Sequence, residues 1–260
     1  MIPLRAKPAI GLLIIAAACL AAAAAPMLAP YDPTQTSLLA LNPPSAAHWL
    51  GTDELGRDIL SRVLYGARIS LGVGIGAAAV ATLLGVPVGL GAGYLGGRTD
   101  LLAVQVIDLF IALPGLVLAL IITAMVGPSI RNLILILGFV MWPAVARMVR
   151  GQAFAVRESV FVEAARAVGA QSGWIIRRHV WPNVVHVVAA QFAVTIAFAI
   201  FTSSSLSFLG LGVPPPTPDW GGMVRAGFDY LIVNPAMSLA PGAAVALTVA
   251  GFYLLGARDS

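Results

Sequence analysis

The chain has 260 residues, 59% of them hydrophobic and 10% charged. Soluble domains carry about 25% charged residues, so this composition excludes an ordinary soluble domain and indicates an integral membrane protein. The net charge of +4 then reads as basic residues held on the cytoplasmic side of a bilayer, with no nucleic-acid partner implied.

A first apolar run covers about 9–29 and follows Arg5 and Lys7. Its alanine-rich end, AAAAAPMLAP, has the look of a signal-peptide cleavage region. The run is nevertheless long enough to span, and the later charge pattern works best if it stays. Lys7 is the only lysine and no glycine-rich loop precedes it, so the chain cannot hydrolyse nucleotide through a P-loop. Cys19 is the only cysteine, which excludes an intrachain disulfide and a cysteine metal site.

The polar segment 30–66 contains HWLGTDELGRDILSRVLYGARISL. Thr52 or Asp53 can cap a short helix there, with Ile59, Leu60, Val63 and Leu64 on one face. Asp58 and Arg62, four apart, fall on another. This pattern predicts a helix lying along the membrane surface before the chain turns into the second span.

That second run, about 67–95, places Gly85, Gly89 and Gly93 four apart, and Gly97 continues the spacing. Missing side chains on one helix face let another helix approach closely. The third run, about 101–126, holds Asp108 inside VQVIDLFIALPG. A carboxylate in a span suggests a pathway or a specific partner. The preferred expectation is a pair with a neighbour such as Arg98 or a backbone amide near the inner end of the span. Pro87, Pro114 and Pro143 are expected to kink their helices.

After the fourth run, about 130–150, comes a basic island at 151–182. Arg147, Arg150, Arg157, Arg166, Arg177 and Arg178 lie in or beside it. Ser159 is a good N-cap and Gly169 a good residue just past a helix end, predicting a helix at 160–168. Phe161, Ala164 or Ala165, and Val168 share one face. Glu163 sits in the early turns and Arg166 nearer the C-terminal end, as the helix dipole prefers. A small-residue face on a capped helix suits docking by another protein better than a passive connection.

The fifth run, about 183–210, ends in the serine cluster TSSSLSFLG, which has no histidine at a plausible helical offset, so a hydrolase is not expected. His48, His179 and His186 lie in no metal-ligand spacing, and no metal site is expected. The loop GVPPPTPDWGGM reads as extended, with Trp220 expected at the membrane interface. A sixth run covers about 237–257. With both ends inside, ten Lys and Arg residues face the cytoplasm and five the other side, which satisfies the positive-inside tendency. The residues thus predict an all-α polytopic protein with six transmembrane helices and cytoplasmic termini.

The island also resembles a family, the inner-membrane permease subunits of bacterial ABC importers, which carry an E-A-A-x3-G-x9-I-x-L-P loop. Glu163, Ala164, Ala165, Gly169 and Pro182 match it, while His179 and Trp181 replace the isoleucine and leucine. RRHVWPN is similar to the R-H-I-L-P-N of the peptide branch. The dipeptide/oligopeptide/nickel group carries L-G-T-D-x-x-G-R-D-x-x-S-R. Leu50, Gly51, Thr52, Asp53, Gly56, Arg57, Asp58, Ser61 and Arg62 match that stretch. LSFLGLGVPPPTPDWGGM resembles the same group. The likeness runs from about 45 to 256 and is to the second permease of the pair. Two departures stand out. Thr202 and Ser203 replace an acidic residue that many relatives carry, and the tail LLGARDS is short.

The resemblance implies a type I importer permease fold in the inner membrane. Residues 1–66 would hold the first span and an extracytoplasmic segment. Residues 67–260 would form the permease core, with a cytoplasmic coupling loop at about 151–182. It implies a non-catalytic subunit without cofactor, since ATP and magnesium are bound by partner subunits. Partners would be a homologous permease, two ATPase subunits, an extracytoplasmic binding protein and membrane lipid. Phe161, Glu163, Ala164, Ala165, Arg166, Gly169 and Pro182 would couple to the ATPase, and Asp108 and Ser203 are candidates for the transport path. Peptides lead as substrate, with nickel chelates, glutathione-like compounds and other small solutes behind. A self-sufficient secondary transporter would need paired broken helices and midplane charges, for which only Asp108 argues.

Overall fold

The computed structural model describes residues 7–256, all the regular structure of which is helical. Arg5, Arg258 and the rest of 257–260 lie outside the described residues. Five helices are long and apolar enough to cross a membrane: α1 (Lys7–Leu28), α2 (Ile59–Leu95), α5 (Ile130–Arg157), α8 (Trp181–Phe208, extended back to Ser172) and α10 (Ala236–Gly256). A bent pair, α3 (Gly97–Ala112) and α4 (Gly115–Val126), whose axes meet at 82°, is together long and apolar enough to make a sixth. Shorter helices α6 (Val160–Ala167), α7 (Ser172–Ile175) and α9 (Trp220–Phe228) complete the chain.

α2 and α5 form the centre. A side-chain carbon added at Gly85, Gly89 or Gly93 would stand 2.7, 2.6 or 2.4 Å from the carbonyl oxygens of Trp142, Ala146 and Arg150. The two helices therefore run in the same direction in matched four-residue register, backbone against backbone. Gly138 returns the arrangement from α5, where an added carbon would meet Val80 at 2.5 Å. Without a hydrophobic drive between apolar helices in lipid, this close approach is what holds them. Gly97 does not belong to the set: it lies beyond the end of α2, at φ +56°, with open space around it. α8 packs on α2, and α10 joins α8 to α1.

Several expectations are corrected. No surface helix precedes the second span. Asp58, rather than Thr52 or Asp53, is the N-cap, accepting from the Ser61 amide, and the helix then runs unbroken from Ile59 to Leu95. Its 37 residues reach about 55 Å, well beyond the bilayer's apolar thickness of about 30 Å. Gly66 does not break it. That position lets Trp220 sit 3.0 Å from where a side-chain carbon would be. Trp220 itself is buried against α2, its indole N–H donating to the Val63 carbonyl at 3.0 Å. Pro114 stands at the break between α3 and α4, while α2 and α5 continue through Pro87 and Pro143.

Gly89→Ala is expected to lower the thermal midpoint of the detergent-solubilised protein, because overpacking costs about 1–3 kcal/mol. Gly91→Ala, which meets nothing within 4 Å, should leave it unchanged or raise it.

Candidate functional site

At one pole of the bundle the chain from Arg157 to Trp181 folds almost entirely as helix. α5 continues past the expected end of its span to Arg157, and Ser159 starts α6 in extended backbone conformation. The Ser159 hydroxyl does not cap α6. It turns back to the Val156 carbonyl and stiffens the corner instead. At the other end Gly169 adopts φ +85°. The Gly169 amide bonds the Arg166 carbonyl at 2.9 Å and the Ala170 amide bonds the Ala165 carbonyl at 3.0 Å. This paired closure satisfies carbonyls a helix end would otherwise leave open, and it needs a residue that tolerates the left-handed region.

α6 has two working faces. Val162 and Ala165 are buried and join Val149, Ala153, Ile175, Val180 and Val184 in one apolar cluster, so α6 is pinned to α5 and α8. Arg166 reaches the end of α2, lying 5.1 Å over the Tyr94 ring with its Nε 3.4 Å from the Tyr94 hydroxyl. A cation over a ring contributes about 0.5–2 kcal/mol. The opposite face looks outward: Phe161, Glu163, Ala164 and Val168 are exposed. Phe161, Ala164, Ala165 and Val168 line an apolar groove of about 660 Å3 whose far wall is Trp174 and His179. The His179 ring is 5.8 Å from Phe161 and 5.1 Å from Trp174, bridging α6 to α7. Pro182 stands at the start of α8, just past a π-helical turn over Ile176–Val180. Such turns concentrate at functional sites.

Two ion pairs tie α3 to α5 near this pole. Asp100 accepts a forked pair from Arg150, one arm at 2.7 Å. Asp108 pairs with Arg147, not with Arg98, and both are about half exposed. The aromatic contacts of Phe110 with Trp142 and Phe139 pack beside them.

At the other pole, the residues singled out in 50–62 come together in a buried network. Thr52 is fully buried, donating to the Leu39 carbonyl and accepting from the Asn42 amide at 2.9 Å. Asp53 accepts from the amides of Leu55 and Arg57 at 2.9 Å and from the Arg57 Nε at 2.6 Å. Its second oxygen also lies 3.4 Å from the Arg62 Nε. Arg62 pairs with Asp53 rather than with Asp58, and donates to the Pro33 carbonyl at 2.8 Å. Asp58 takes the Ser61 amide and hydroxyl and lies 2.9 Å from His48 Nδ1. Gly51 and Gly56 have φ of +80° and +70°, each with a carbonyl oxygen 2.3 Å from where a side-chain carbon would sit. The network braces segment 30–58 against α2, and Asn234 ties it to the approach of α10 through the Asn42 and Thr52 carbonyls. Nearby, burial pushes the Asp219 carboxyl above its ordinary range, against hydrogen bonds from Ser207, Gly222 and Gly221.

Between these poles, α4, α5 and α8 line a cavity of about 420 Å3 that is open where Phe198 and Phe201 are exposed. Thr202 lines it, whereas Ser203 is buried and donates to the Ile200 carbonyl at 3.0 Å. Sequence reasoning missed Tyr94, Trp174 and Gln191. Trp174 carried a usable signal, an aromatic in an otherwise basic, polar stretch. Tyr94 and Gln191 look like ordinary span residues; Tyr94 acquires its role through Arg166, 72 residues on, and Gln191 through its place on the cavity wall.

Residues 85–258 match the model of a family described as the binding-protein-dependent transport system inner membrane component. The glutathione transport system permease protein GsiD of Pectobacterium atrosepticum is 40% identical over 82% of this chain and 71% of its own length. The probable D,D-dipeptide transport system permease protein DdpC of Escherichia coli is 40% identical over 89% and 78%. The dipeptide transport system permease protein DppC of Alkalihalophilus pseudofirmus is 38% identical over 95% and 82%. Among solved structures, an inward-facing MetNI methionine ABC transporter aligns with a TM-score of 0.56 at 18% identity, over 76% of this chain and 97% of that one. At that identity the likeness concerns the fold.

Asp53→Ala is expected to destabilise the folded protein by about 3–5 kcal/mol, since it removes the buried carboxylate shared by Arg57 and Arg62 and leaves Arg57 only the more exposed Glu54. The measurement is the thermal midpoint and the yield of monodisperse protein in detergent. Glu54→Ala, whose side chain is more exposed, should cost far less.

Proposed function

The chain belongs to the family of binding-protein-dependent transport system inner membrane components, and we propose that it is the peptide-conducting permease subunit of an ATP-driven importer. It is a multi-pass protein of the inner membrane. On this reading it shares the translocation path with a homologous permease, receives substrate from an extracytoplasmic binding protein, and is driven by two ATPase subunits. It holds no nucleotide and catalyses nothing itself; ATP and magnesium belong to the ATPases. Peptides are favoured over nickel or other small solutes because the relatives are named for dipeptides, D,D-dipeptides and glutathione. Both termini lie in the cytoplasm, as the arginine distribution favours. Residues 1–66 carry the first span and the extracytoplasmic brace, and 67–260 the core with its coupling loop at 151–182. The boundary falls inside α2, so the two parts share that helix.

The observation that carries this reading is the two-sided α6. Its outer face and the Trp174–His179 wall form an apolar groove open to a partner, while its inner face is locked into the ends of α2, α5 and α8. A helix capped and packed in this way transmits a push, where a loose loop would absorb it. When the ATPases close on ATP, the displacement of α6 passes through Val162 and Ala165 to the spans and rocks the path from inward-open to outward-open. Phe161, Glu163, Ala164 and Val168 meet the ATPase; Ala165, Arg166, Gly169 and Pro182 hold the joint's shape.

Ala164→Glu or Glu163→Lys should leave membrane insertion and monodispersity intact. Each should reduce co-purification of the ATPase chains and uptake in proteoliposomes by a loss of about 2 kcal/mol, an interface hot spot. Normal uptake by both variants would refute the docking assignment.

A further inference from the structure

We infer that the cavity between α4, α5 and α8 is the part of the path that admits uncharged peptide side chains, with Gln191 and Thr202 as its specificity-determining residues. This rests on the peptide-permease reading above and deepens it. The cavity volume of about 420 Å3 lies within the range of about 300–1,000 Å3 usual for small-molecule sites. Phe198, Phe201 and Leu116 supply apolar wall, and none of the ten lining residues is charged.

Gln191, Thr195, Phe198 and Thr202 recur at i, i+4, i+7 and i+11, so they share one face of α8. Thr195 turns its hydroxyl back to the Gln191 carbonyl at 2.8 Å. That leaves the Gln191 amide and the Thr202 hydroxyl, both only partly buried, to address a ligand. Eleven helical residues separate them by about 16 Å, the length of about five extended peptide residues. Both groups can donate and accept, which suits backbone amides of any sequence. Arg147 stands one turn beyond Ala144 on the cavity side of α5, but its charge is matched by Asp108. A charged substrate side chain here would give up water and find no counter-charge in the wall, a penalty that neutral side chains avoid.

The test uses the complete importer in proteoliposomes, with its partner permease, ATPases and binding protein. ATP-driven uptake of radiolabelled Ala-Ala, Ala-Lys and Ala-Glu is compared for the wild type, T202S, T202E and T202K. T202E should raise the Ala-Lys to Ala-Glu uptake ratio on the order of tenfold. T202K should lower it by a similar factor, and T202S should leave it unchanged. Since the binding protein is the same throughout, opposite shifts can only arise in the path. An unchanged ratio with uptake intact, or an equal loss for all three peptides, overturns this inference and leaves the peptide-permease reading standing. If the wild type takes up none of the three although its binding protein stimulates ATP hydrolysis, the peptide reading falls first and this inference with it.

Discussion

Everything else in the molecule is built on the backbone contact between α2 and α5. Three glycines on α2 face three carbonyls on α5 at the same four-residue interval, with the side chains of Val145, Val149 and Ala153 resting on the glycine backbone. In lipid, burying one apolar side chain against another gains little over leaving it in the acyl chains, and close van der Waals contact must supply the association. The contact also sets register. Once Gly93 lies on Arg150, the end of α2 and the last turns of α5 are side by side, and Tyr94 and Ala153 enter one apolar cluster.

That cluster is the seat of α6. Two buried side chains, Val162 and Ala165, anchor it, and Arg166 over Tyr94 adds a second point of attachment on α2. The arginine-rich island is thus a firm extension of the spans. At the far pole the same solution appears in polar form. Asp53, Arg57 and Arg62 satisfy one another there, and Asp58 is held by Ser61 and His48. The polar network fixes the N-terminal end of α2 and the glycine contact fixes its last third. Between the two fixed regions lies the cavity, with Gly115 and Leu116, just past the break between α3 and α4, in its wall.

Much of this could be read from residue order. Six apolar runs, the glycine interval, the ends of α6 and the outward placing of Phe161 and Val168 are local properties. What escaped was decided by competition or by distance. Thr52, Asp53 and Asp58 are all good capping residues. Asp58 wins because Thr52 is taken by Leu39 and Asn42, and Asp53 by Leu55 and Arg57. Asp108 had Arg98 ten residues away but pairs with Arg147 on another span. The burial of Trp220 depends on Val63, 157 residues earlier near the start of α2, which offers its carbonyl. The resemblance to importer permeases, carried by Glu163, Ala164, Ala165 and Gly169, identified the family where composition alone identified only a membrane protein.

The central claim is that α6 moves as one body with the ends of α2 and α5. It is tested by a spin–spin distance in the complete importer, with labels at Leu95 and Val168, both exposed, in a background where Cys19 is replaced by serine. A single narrow distance, the same in the nucleotide-free and ATP-trapped states, is the predicted result. A broad distribution, or a shift of about one helical turn, ~5 Å, between the two states would contradict it.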